Sequence, residues 1–334
     1  MKALILTRYG GADALAYADL PRPEIKPDEI LVQVHAAGIN PVDYMIPKGA
    51  FKPLLRFKLP ATMGSDLAGV VVETGSRVTR FKVGDAVFAS LFDLASGSFA
   101  EFAAVPEHAA ALKPATLDFV QAASIPMVGL TSWQALNERM QLKPGQKVFV
   151  PAGSGGIGTF AIQLAKQLGA AVGTTTSTGN VDLVRSLGAD EVIDYKQQEF
   201  EEVLRDYDAV LGTVRGDALE KSLRIVKKDS TVVSLIGPPD AAFARTRGMN
   251  GLMKFVFGLL SRKIIKLANK RGASYSFLFV RPDGQQLAKI AELLDASAIR
   301  PVIDTVFPFK QAKEALAYLE QGRAKGKVVI QMRS

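Results

Sequence analysis

Hydrophobic and polar residues alternate along the first third of the chain. In "ILVQVHAA" (residues 30–37) every second residue shares one face, which is the period of a strand that buries one side. Short β-branched runs follow over residues 64–89 and 97–114, and they are broken by Gly-Ser, Gly-Asp and Pro. Such breaks punctuate strands rather than helices. This part of the sequence therefore predicts a small β-barrel.

The period changes near residue 117, where "LDFVQAASIPMVGLTSWQALNERM" has helical spacing. From residue 147 onward, short apolar runs alternate with helical or turn stretches, and a last helix is expected in "GQQLAKIAELLDAS". This alternation indicates βαβ units and a parallel sheet, so the predicted fold class is α/β. The predicted strands of this region are 147–151, 171–176, 191–194, 208–213, 231–236 and 275–280.

One apolar run, "VFVPAGSGGIGTFAIQLAKQLGA" (148–170), breaks into glycines between a predicted strand and a predicted helix. Gly153, Gly155 and Gly158 have the spacing G-x-G-x-x-G. The first glycine permits a tight turn, the second lets the backbone approach a pyrophosphate, and the third lets the helix pack on the strand. The N-terminus of the helix then offers N–H groups to the anion. We therefore predict a dinucleotide site at Gly153, Ser154, Gly155, Gly156, Ile157 and Gly158.

The type of dinucleotide depends on the residues after the next predicted strand. NAD sites usually carry an acid there, which accepts hydrogen bonds from the ribose hydroxyls. Here the stretch "GTTTSTGN" (173–180) has hydroxyls and an amide, and no carboxylate occurs before Asp182. The missing acid favours NADP (NADPH) over NAD. The threonines would also serve as plain strand formers, and that alternative stays open.

Composition excludes several classes of chemistry. The chain has no cysteine, so disulfides, thiolate nucleophiles and cysteine-ligated metals are ruled out. His35 and His108 have no plausible triad partner, and no serine stands in G-x-S-x-G. No apolar run reaches the roughly 20 residues of a membrane span. We expect a chain without a transmembrane segment, in the cytoplasm.

The positive charge is concentrated in one segment. The net charge is +8, and residues 241–282 contain nine basic residues and no acidic one, so the rest of the chain is close to neutral. Apolar residues are interleaved with these lysines and arginines. The segment is expected to form an amphipathic helix that covers a cleft, packs on a second subunit or touches anionic lipid. A solvated charged face is the plain alternative.

Four stretches of the sequence resemble a known family: "AAGINPVDYMIPKG", "GSDLAGVVVETGSRV", "PAGSGGIGTFAIQLAK" and "LGADEVIDY". They are similar to the zinc-independent branch of the medium-chain dehydrogenase/reductase superfamily, the quinone oxidoreductase and enone reductase group. The resemblance implies a GroES-like β-barrel catalytic domain, residues 1–120 with 301–334. It also implies a Rossmann dinucleotide-binding domain with a doubly wound parallel sheet, residues 121–300.

The same resemblance implies the reaction. In the zinc-dependent relatives, a cysteine stands at the position of Asn40 and a His-Glu pair at the positions of Ser65 and Asp66, so the zinc ligands are missing here. Reduction without a Lewis acid suits substrates that are already electrophilic. The implied reaction is hydride transfer from NADPH to a quinone or an α,β-unsaturated carbonyl compound, with no metal, by a homodimer.

Individual site residues also follow from the resemblance. Asn40 is expected near the nicotinamide ribose or the substrate oxygen, although an asparagine before Pro41 would equally cap a turn. Tyr44 is a candidate to donate a proton or to line the substrate pocket, although relatives carry a tyrosine one residue later, where Met45 stands. Relatives carry a lysine or arginine near 179 or 180, where this chain has Gly179 and Asn180. The remaining predicted cofactor contacts are Thr131, Ser177, Asn180, Tyr195, Gly237, Phe279, Lys325 and Lys327.

A second function class remains open at this point. The chain would then be an NADPH-binding protein of low turnover that uses residues 241–282 to bind RNA, a membrane or a protein partner. The sequence has no aromatic stacking motif of an RNA-binding module, so a nucleic-acid partner is not expected.

Overall fold

The computed structural model describes residues 1–52, 54–55, 57–94 and 96–333. The chain divides into two compact units. Unit 1 comprises Met1–Leu130 together with Arg281–Ser334, and unit 2 comprises Thr131–Val280. Unit 2 is thus inserted between the two parts of unit 1, with limits at 130 and 281, whereas the sequence suggested limits at 120 and 300.

The elements have the following bounds. The strands are β1 Lys2–Leu6, β2 Leu15–Asp19, β3 Glu29–Ile39, β4 Ala61–Thr62, β5 Asp66–Thr74, β6 Ala86–Ser90, β7 Phe102–Pro106, β8 Ala110–Leu112, β9 Lys147–Val150, β10 Ala171–Thr176, β11 Glu191–Asp194, β12 Tyr207–Gly212, β13 Val226–Ser234, β14 Ser274–Phe277, β15 Ile303–Pro308 and β16 Lys327–Gln331. The α-helices are α1 Pro41–Met45, α2 Phe119–Ala123, α3 Pro126–Trp133, α4 Gly156–Gln167, α5 Val181–Ser186, α6 Phe200–Val203, α7 Ala218–Ser222, α8 Ala241–Thr246, α9 Gly251–Lys270, α10 Gly284–Asp295 and α11 Ala312–Glu320.

Unit 1 is built on two sheets that are mainly antiparallel. One sheet has the order β2-β1-β4, and the other has the order β15-β16-β3-β5-β6-β8, with β7 also paired to β3. The alternation noted in the sequence is observed in β3, where Val32 and Val34 are fully buried and Gln33 and His35 are half-buried. The predicted β-rich first third is therefore confirmed.

Unit 2 contains a parallel sheet in the order β11-β10-β9-β12-β13-β14. Its central strands are nearly continuous apolar runs because parallel strands are buried on both faces. Phe149 of β9 packs against Phe200 and Tyr207, with ring centroids 4.7 and 5.9 Å away. The order of the strands reverses at β9, so the sheet is doubly wound, as the family resemblance implies.

Helix α10 belongs to unit 1, although the sequence places it in the dinucleotide-binding region. Its first residue, Gly284, lies so close to β8 that a Cβ there would be 2.1 Å from the carbonyl oxygen of Ala110. At the other end, the Asp295 carboxylate accepts hydrogen bonds from the N–H and hydroxyl of Thr116, at 3.0 and 2.9 Å. These contacts attach the helix to the barrel side of the chain.

The basic segment forms α8 and α9. One side of α9 is buried through Phe257, Ser261, Ile264 and Ala268, a spacing of three and four that marks a single helix face. Across the described residues, we find no helix whose length and apolar character would let it cross a bilayer.

Candidate functional site

The glycine-rich turn of unit 2 follows β9 and opens α4. A Cβ on Gly153 would be 2.2 Å from Thr174 Oγ1, and one on Gly158 would be 2.4 Å from the carbonyl oxygen of Ala152. Both positions therefore exclude a side chain. At Gly155, the N-cap of α4, an added Cβ would meet only the Ala152 oxygen, at 3.3 Å. The first and third glycines of the turn are thus packed closely against neighbouring atoms. The middle glycine, Gly155, has only one close neighbour.

Helix α4 begins at Gly156 without a side-chain cap. The first N–H groups of an α-helix have no carbonyl partner within the helix, and the helix dipole places partial positive charge there. Gly156, Ile157 and Gly158 carry the first of these N–H groups. A pyrophosphate is the kind of anion that such an end binds, so the turn fits the predicted dinucleotide.

A cluster of hydroxyls and one amide lies at the end of β10. The Thr176 hydroxyl donates to Ser154 Oγ at 3.0 Å, and Asn180 Nδ2 donates to Ser154 Oγ and Ser177 Oγ at 3.2 and 3.1 Å. The structure therefore brings Ser154, Ser177 and Asn180 together, as their assignment to one site requires. None of these four residues carries a carboxylate, and the Asp194 carboxylate beside them accepts a hydrogen bond from Thr178.

The neighbouring strand β11 ends beside this cluster. Thr176 and Asp194 are paired in register, and the N–H of Tyr195 donates to the Thr176 oxygen at 3.1 Å. Tyr195 is 59% exposed. A hydrogen bond from Thr178 and the N–H of Lys196 lower the pKa of the Asp194 carboxyl. Lys196, the residue after Tyr195, is exposed and was not among the predicted site residues.

Gly237 and Phe279, two other predicted cofactor residues of unit 2, lie after strands of the same sheet. Gly237 follows β13 and has a φ of +96°, and its oxygen accepts from Ser234 Oγ at 2.9 Å. Phe279 follows β14, 5.5 Å from the Phe243 ring and 5.2 Å from the Arg247 guanidinium. Because the carboxyl ends of parallel strands share one edge, these residues lie on the edge that carries the glycine-rich turn. Thr131, on α3, is buried.

Unit 1 contains a buried polar cluster, which we call the Asn40 cluster: Asn40, Asp43, Ser65, Asp66 and Lys327. Each of the five is at most 5% exposed. Asn40 Nδ2 donates to Ser65 Oγ at 2.9 Å and to Asp66 Oδ2 at 2.8 Å. Lys327 Nζ donates to Asn40 Oδ1 and, at 2.9 Å, to the carbonyl oxygen of Ile39. Asn40 and Asp66, two of the three positions compared with zinc ligands, thus lie beside the Lys327 ammonium.

Asn40 is held by its own helix as well. Its N–H donates to Asp43 Oδ2 at 2.8 Å, at the N-cap position of α1, and the Ser65 hydroxyl donates to the same oxygen at 3.1 Å. Both amide hydrogens and the amide oxygen of Asn40 are therefore engaged inside unit 1. This geometry favours the capping alternative, in which Asn40 organises the loop; its contact with cofactor or substrate remains a prediction.

Burial dominates the electrostatics of the Asn40 cluster. It raises the pKa of the Asp66 carboxyl and lowers the pKa of the Lys327 ammonium, whose Nζ lies 3.7 Å from Asp66 Oδ2. The N–H of Met127 donates to both Asp66 oxygens at 3.1 Å. Burial also raises the pKa of Asp43 to about 7, against the hydrogen bond from the Asn40 N–H. Asp43 Oδ1 has no hydrogen-bond partner among the described residues.

A small pocket adjoins this cluster. Asp43 and Ser65 line it together with Phe57, Met63 and Phe92, and its volume of about 20 Å³ accommodates one water molecule. Tyr44, on α1, is half-buried, and the Lys48 ammonium lies 6.0 Å from its ring centre. Tyr44 does not line the pocket.

Lys325 and Lys327 have different surroundings despite their spacing. Lys325 is exposed, and its N–H donates to Asp304 Oδ1 at 3.1 Å. Lys327 is part of the Asn40 cluster. The sequence predicted both lysines as cofactor contacts. It did not identify the partners of Lys327, which are Ile39, Asn40 and Asp66, near the other end of the sequence.

The residues at the former zinc positions do not fit zinc. A zinc site takes thiolate, imidazole or carboxylate ligands. Here an amide, a hydroxyl and one carboxylate are joined by the Lys327 ammonium, which donates hydrogen bonds and cannot ligate a cation. Within the residues described, no group of three or more His, Cys, Asp or Glu side chains is placed to hold a metal ion.

Two family profiles match the chain. The profile described as "Alcohol dehydrogenase GroES-like domain" covers residues 26–115, and the one described as "Zinc-binding dehydrogenase" covers residues 187–330. The first falls within unit 1, and the second covers parts of both units.

Proteins of known name are similar over nearly the whole chain. The mitochondrial NAD(P)H oxidoreductase RTN4IP1 of Homo sapiens is 36% identical, over 99% of this chain and 89% of its own. The chloroplastic NADPH-dependent alkenal/one oxidoreductase of Arabidopsis thaliana is 35% identical, over 99% and 79%. The solved structure of the quinone oxidoreductase from Coxiella burnetii is 31% identical, with a TM-score of 0.85 over 100% of this chain and 99% of that one.

Proposed function

The chain belongs to the quinone oxidoreductase group of the medium-chain dehydrogenase/reductase superfamily, and on that basis we propose that it reduces quinones or α,β-unsaturated carbonyl compounds with NADPH, without zinc. The observation that carries the proposal is the replacement of the zinc-ligand positions by the Asn40 cluster, in a chain that keeps the glycine-rich turn. A dinucleotide site in a chain whose residues at these positions do not fit zinc suits hydride transfer onto substrates that are already electrophilic.

The residues that we propose to contact the phosphates of the cofactor follow strands at one edge of the unit 2 sheet. The N–H groups at the start of α4 would bind the pyrophosphate. Ser154, Ser177 and Asn180 would donate hydrogen bonds to the 2′-phosphate, and Lys196 would supply the positive charge that the sequence lacks at positions 179 and 180. When bound, NADPH supplies the hydride.

The class of substrate follows from the groups in unit 1. A plain ketone needs polarisation of its oxygen, which zinc would supply. In a quinone or an enone, the conjugated carbonyl already withdraws electrons from the carbon that accepts the hydride. The Asn40 cluster fixes α1, and α1 presents Tyr44, whose hydroxyl we propose as the donor of the proton that completes reduction.

The test follows NADPH oxidation by absorbance with a panel of 1,2- and 1,4-quinones and 2-alkenals, repeated with NADH and with a chelator. Turnover with NADPH that survives the chelator is expected. Activity that the chelator abolishes and zinc restores would overturn the metal-free mechanism. Tight NADPH binding without turnover across the panel would instead favour an NADPH-binding protein of low turnover.

Subunit number and location are also proposals. We propose a homodimer, in line with the family resemblance, and sedimentation velocity of the purified chain tests it. We propose a cytoplasmic location, which a chain without cysteine tolerates, and fractionation of the producing cells tests that.

A further inference from the structure

Helix α9 exposes a stripe on the side opposite its buried face. Leu252, Phe255 and Leu259 lie in the first half of the helix, at intervals of three and four residues, and they are 68%, 64% and 51% exposed. The same spacing continues through Arg262, Lys266 and Lys270 in the second half, all of them exposed. We call these six residues the α9 stripe; its first three residues form the apolar half and its last three the cationic half.

The helix is firmly attached beneath the stripe. Ile264 and Ala268 belong to the core of unit 2, and the Phe257 ring is stacked on Phe243 with centroids 6.0 Å apart. Asn250 caps the start of α9, since its side chain accepts from the Met253 N–H at 3.0 Å. The exposure of the stripe is therefore a property of a helix anchored along its other face.

The segment that carries the stripe has charge of one sign only. Residues 241–282 contain no acidic residue, and the nine basic residues of this segment account for the positive charge of the chain. Lys263, beside the stripe, forms an ion pair with Glu220 of α7. A partner of negative charge is therefore complementary to this face, and a partner of positive charge is repelled.

We propose that the α9 stripe docks the protein peripherally on an anionic lipid surface. The apolar half would enter the boundary between headgroups and acyl chains, and the cationic half would contact the phosphates. An anionic bilayer offers an apolar layer beneath a negative one, so both halves find a partner. This inference goes beyond the proposed function and does not depend on it.

Other occupants satisfy only part of the stripe. A nucleic acid would neutralise the cationic half and leave Leu252 and Phe255 in water. A second copy of this chain would bring another acid-free segment against the same cations. Both remain outcomes of the test below.

The experiment is flotation with vesicles of phosphatidylcholine containing about 30% phosphatidylserine, compared with pure phosphatidylcholine, at about 0.05 and 0.5 M salt. The protein is the full chain without cofactor, so its catalytic competence does not affect the result. Binding to the anionic vesicles alone, weakened by salt, is expected. No binding to either vesicle overturns the proposal.

Two variants separate the halves of the stripe. F255S/L259S is expected to weaken binding about tenfold, since two apolar side chains no longer enter the bilayer. R262Q/K266Q/K270Q is expected to weaken it about 100-fold, at roughly fivefold for each cation. The matched control, K2Q/K58Q/K310Q, removes the same charge from exposed lysines outside the segment and should bind as the parent does.

Three results would reassign the stripe. Equal losses in the cationic variant and its control would show an effect of net charge alone. Oligonucleotide binding that F255S/L259S retains, without vesicle binding by the parent, would indicate a nucleic-acid surface. A concentration-dependent dimer in sedimentation velocity that F255S/L259S abolishes would indicate a second copy of the chain.

Discussion

Replacing Asp43 by asparagine is expected to change how the stability of unit 1 depends on pH. Asp43 is 1% exposed, and burial raises the pKa of its carboxyl from 3.8 to about 7. Asparagine has nearly the same shape, its oxygen can accept from the Asn40 N–H and the Ser65 hydroxyl, and it does not ionise. The substitution therefore removes the titration and keeps the hydrogen bonds.

The direction in which stability changes with pH follows from how many protons the folded and unfolded states bind. Because the pKa is higher in the folded state, folded Asp43 holds its proton between pH 3.8 and about 7, whereas the unfolded chain has released it. Stability is therefore full below pH 3.8 and falls until about pH 7, by roughly 4 kcal/mol in all at 1.36 kcal/mol for each pH unit. Between about pH 5 and pH 8 the parent should lose roughly 3 kcal/mol that D43N keeps.

The measurement is amide hydrogen exchange of β3 and β5, which reports the opening of unit 1. Trp133, the sole tryptophan, lies in unit 2, so its fluorescence would follow the other unit. Asp19→Asn, at an exposed position, corrects for the loss of one negative charge. A difference between D43N and the parent that is the same at both pH values would refute the reasoning, because Asp43 would then not titrate in this range.

Three further predictions concern the site. Lys327→Met is expected to lower the free energy of unfolding by about 3 to 5 kcal/mol, since it leaves the Asp66 carboxylate buried without its cation. Thermal unfolding measures this loss, and the double variant K327M/D66N should regain part of the stability. Gly158→Ala should weaken NADPH binding at least about tenfold in titrations, because its Cβ would be 2.4 Å from the Ala152 oxygen. Gly251→Ala, whose Cβ would meet nothing within 4 Å and which lies in α9, is the control, and equal effects would contradict this account. Lys196→Gln should raise the KM for NADPH about tenfold in steady-state kinetics and leave that for NADH unchanged, and an equal rise for both would place Lys196 away from the 2′-phosphate.

Local features of the fold could be predicted from the sequence. The strand 171–176 was predicted with its observed bounds because a β-branched run lies between the end of one helix and the hydroxyl-rich turn before the next. The glycine-rich turn was identified because its glycines, strand and helix are consecutive in the chain. In both cases, the physical determinants lie within about a turn or a strand of each other.

Contacts between residues far apart in the chain could not be predicted from the sequence. The role of Lys327 depends on Asn40 and Asp66, and the attachment of α10 depends on the close approach of Gly284 to β8. For α9, the periodicity predicted an amphipathic helix, yet Phe257 and Phe255 are both phenylalanine, and only the structure distinguishes the buried ring from the exposed one. These contacts and burials depend on how the helices and strands pack together, and the periodicity of a single sequence does not determine that packing.

The antiparallel pairing of β16 with β3 has a consequence for synthesis on the ribosome. Val328 lies opposite Ile39, and the Lys327 ammonium bonds to a carbonyl oxygen 288 residues earlier. Because chain synthesis proceeds at about 5 to 20 residues per second, Lys327 is made roughly 15 to 60 s after β3. Asp43 and Asp66 are without their lysine for most of this time. Unit 2 is complete within this interval and can fold while its neighbour still lacks a strand. During translation, unit 1 is therefore the half of the chain that most needs protection by chaperones.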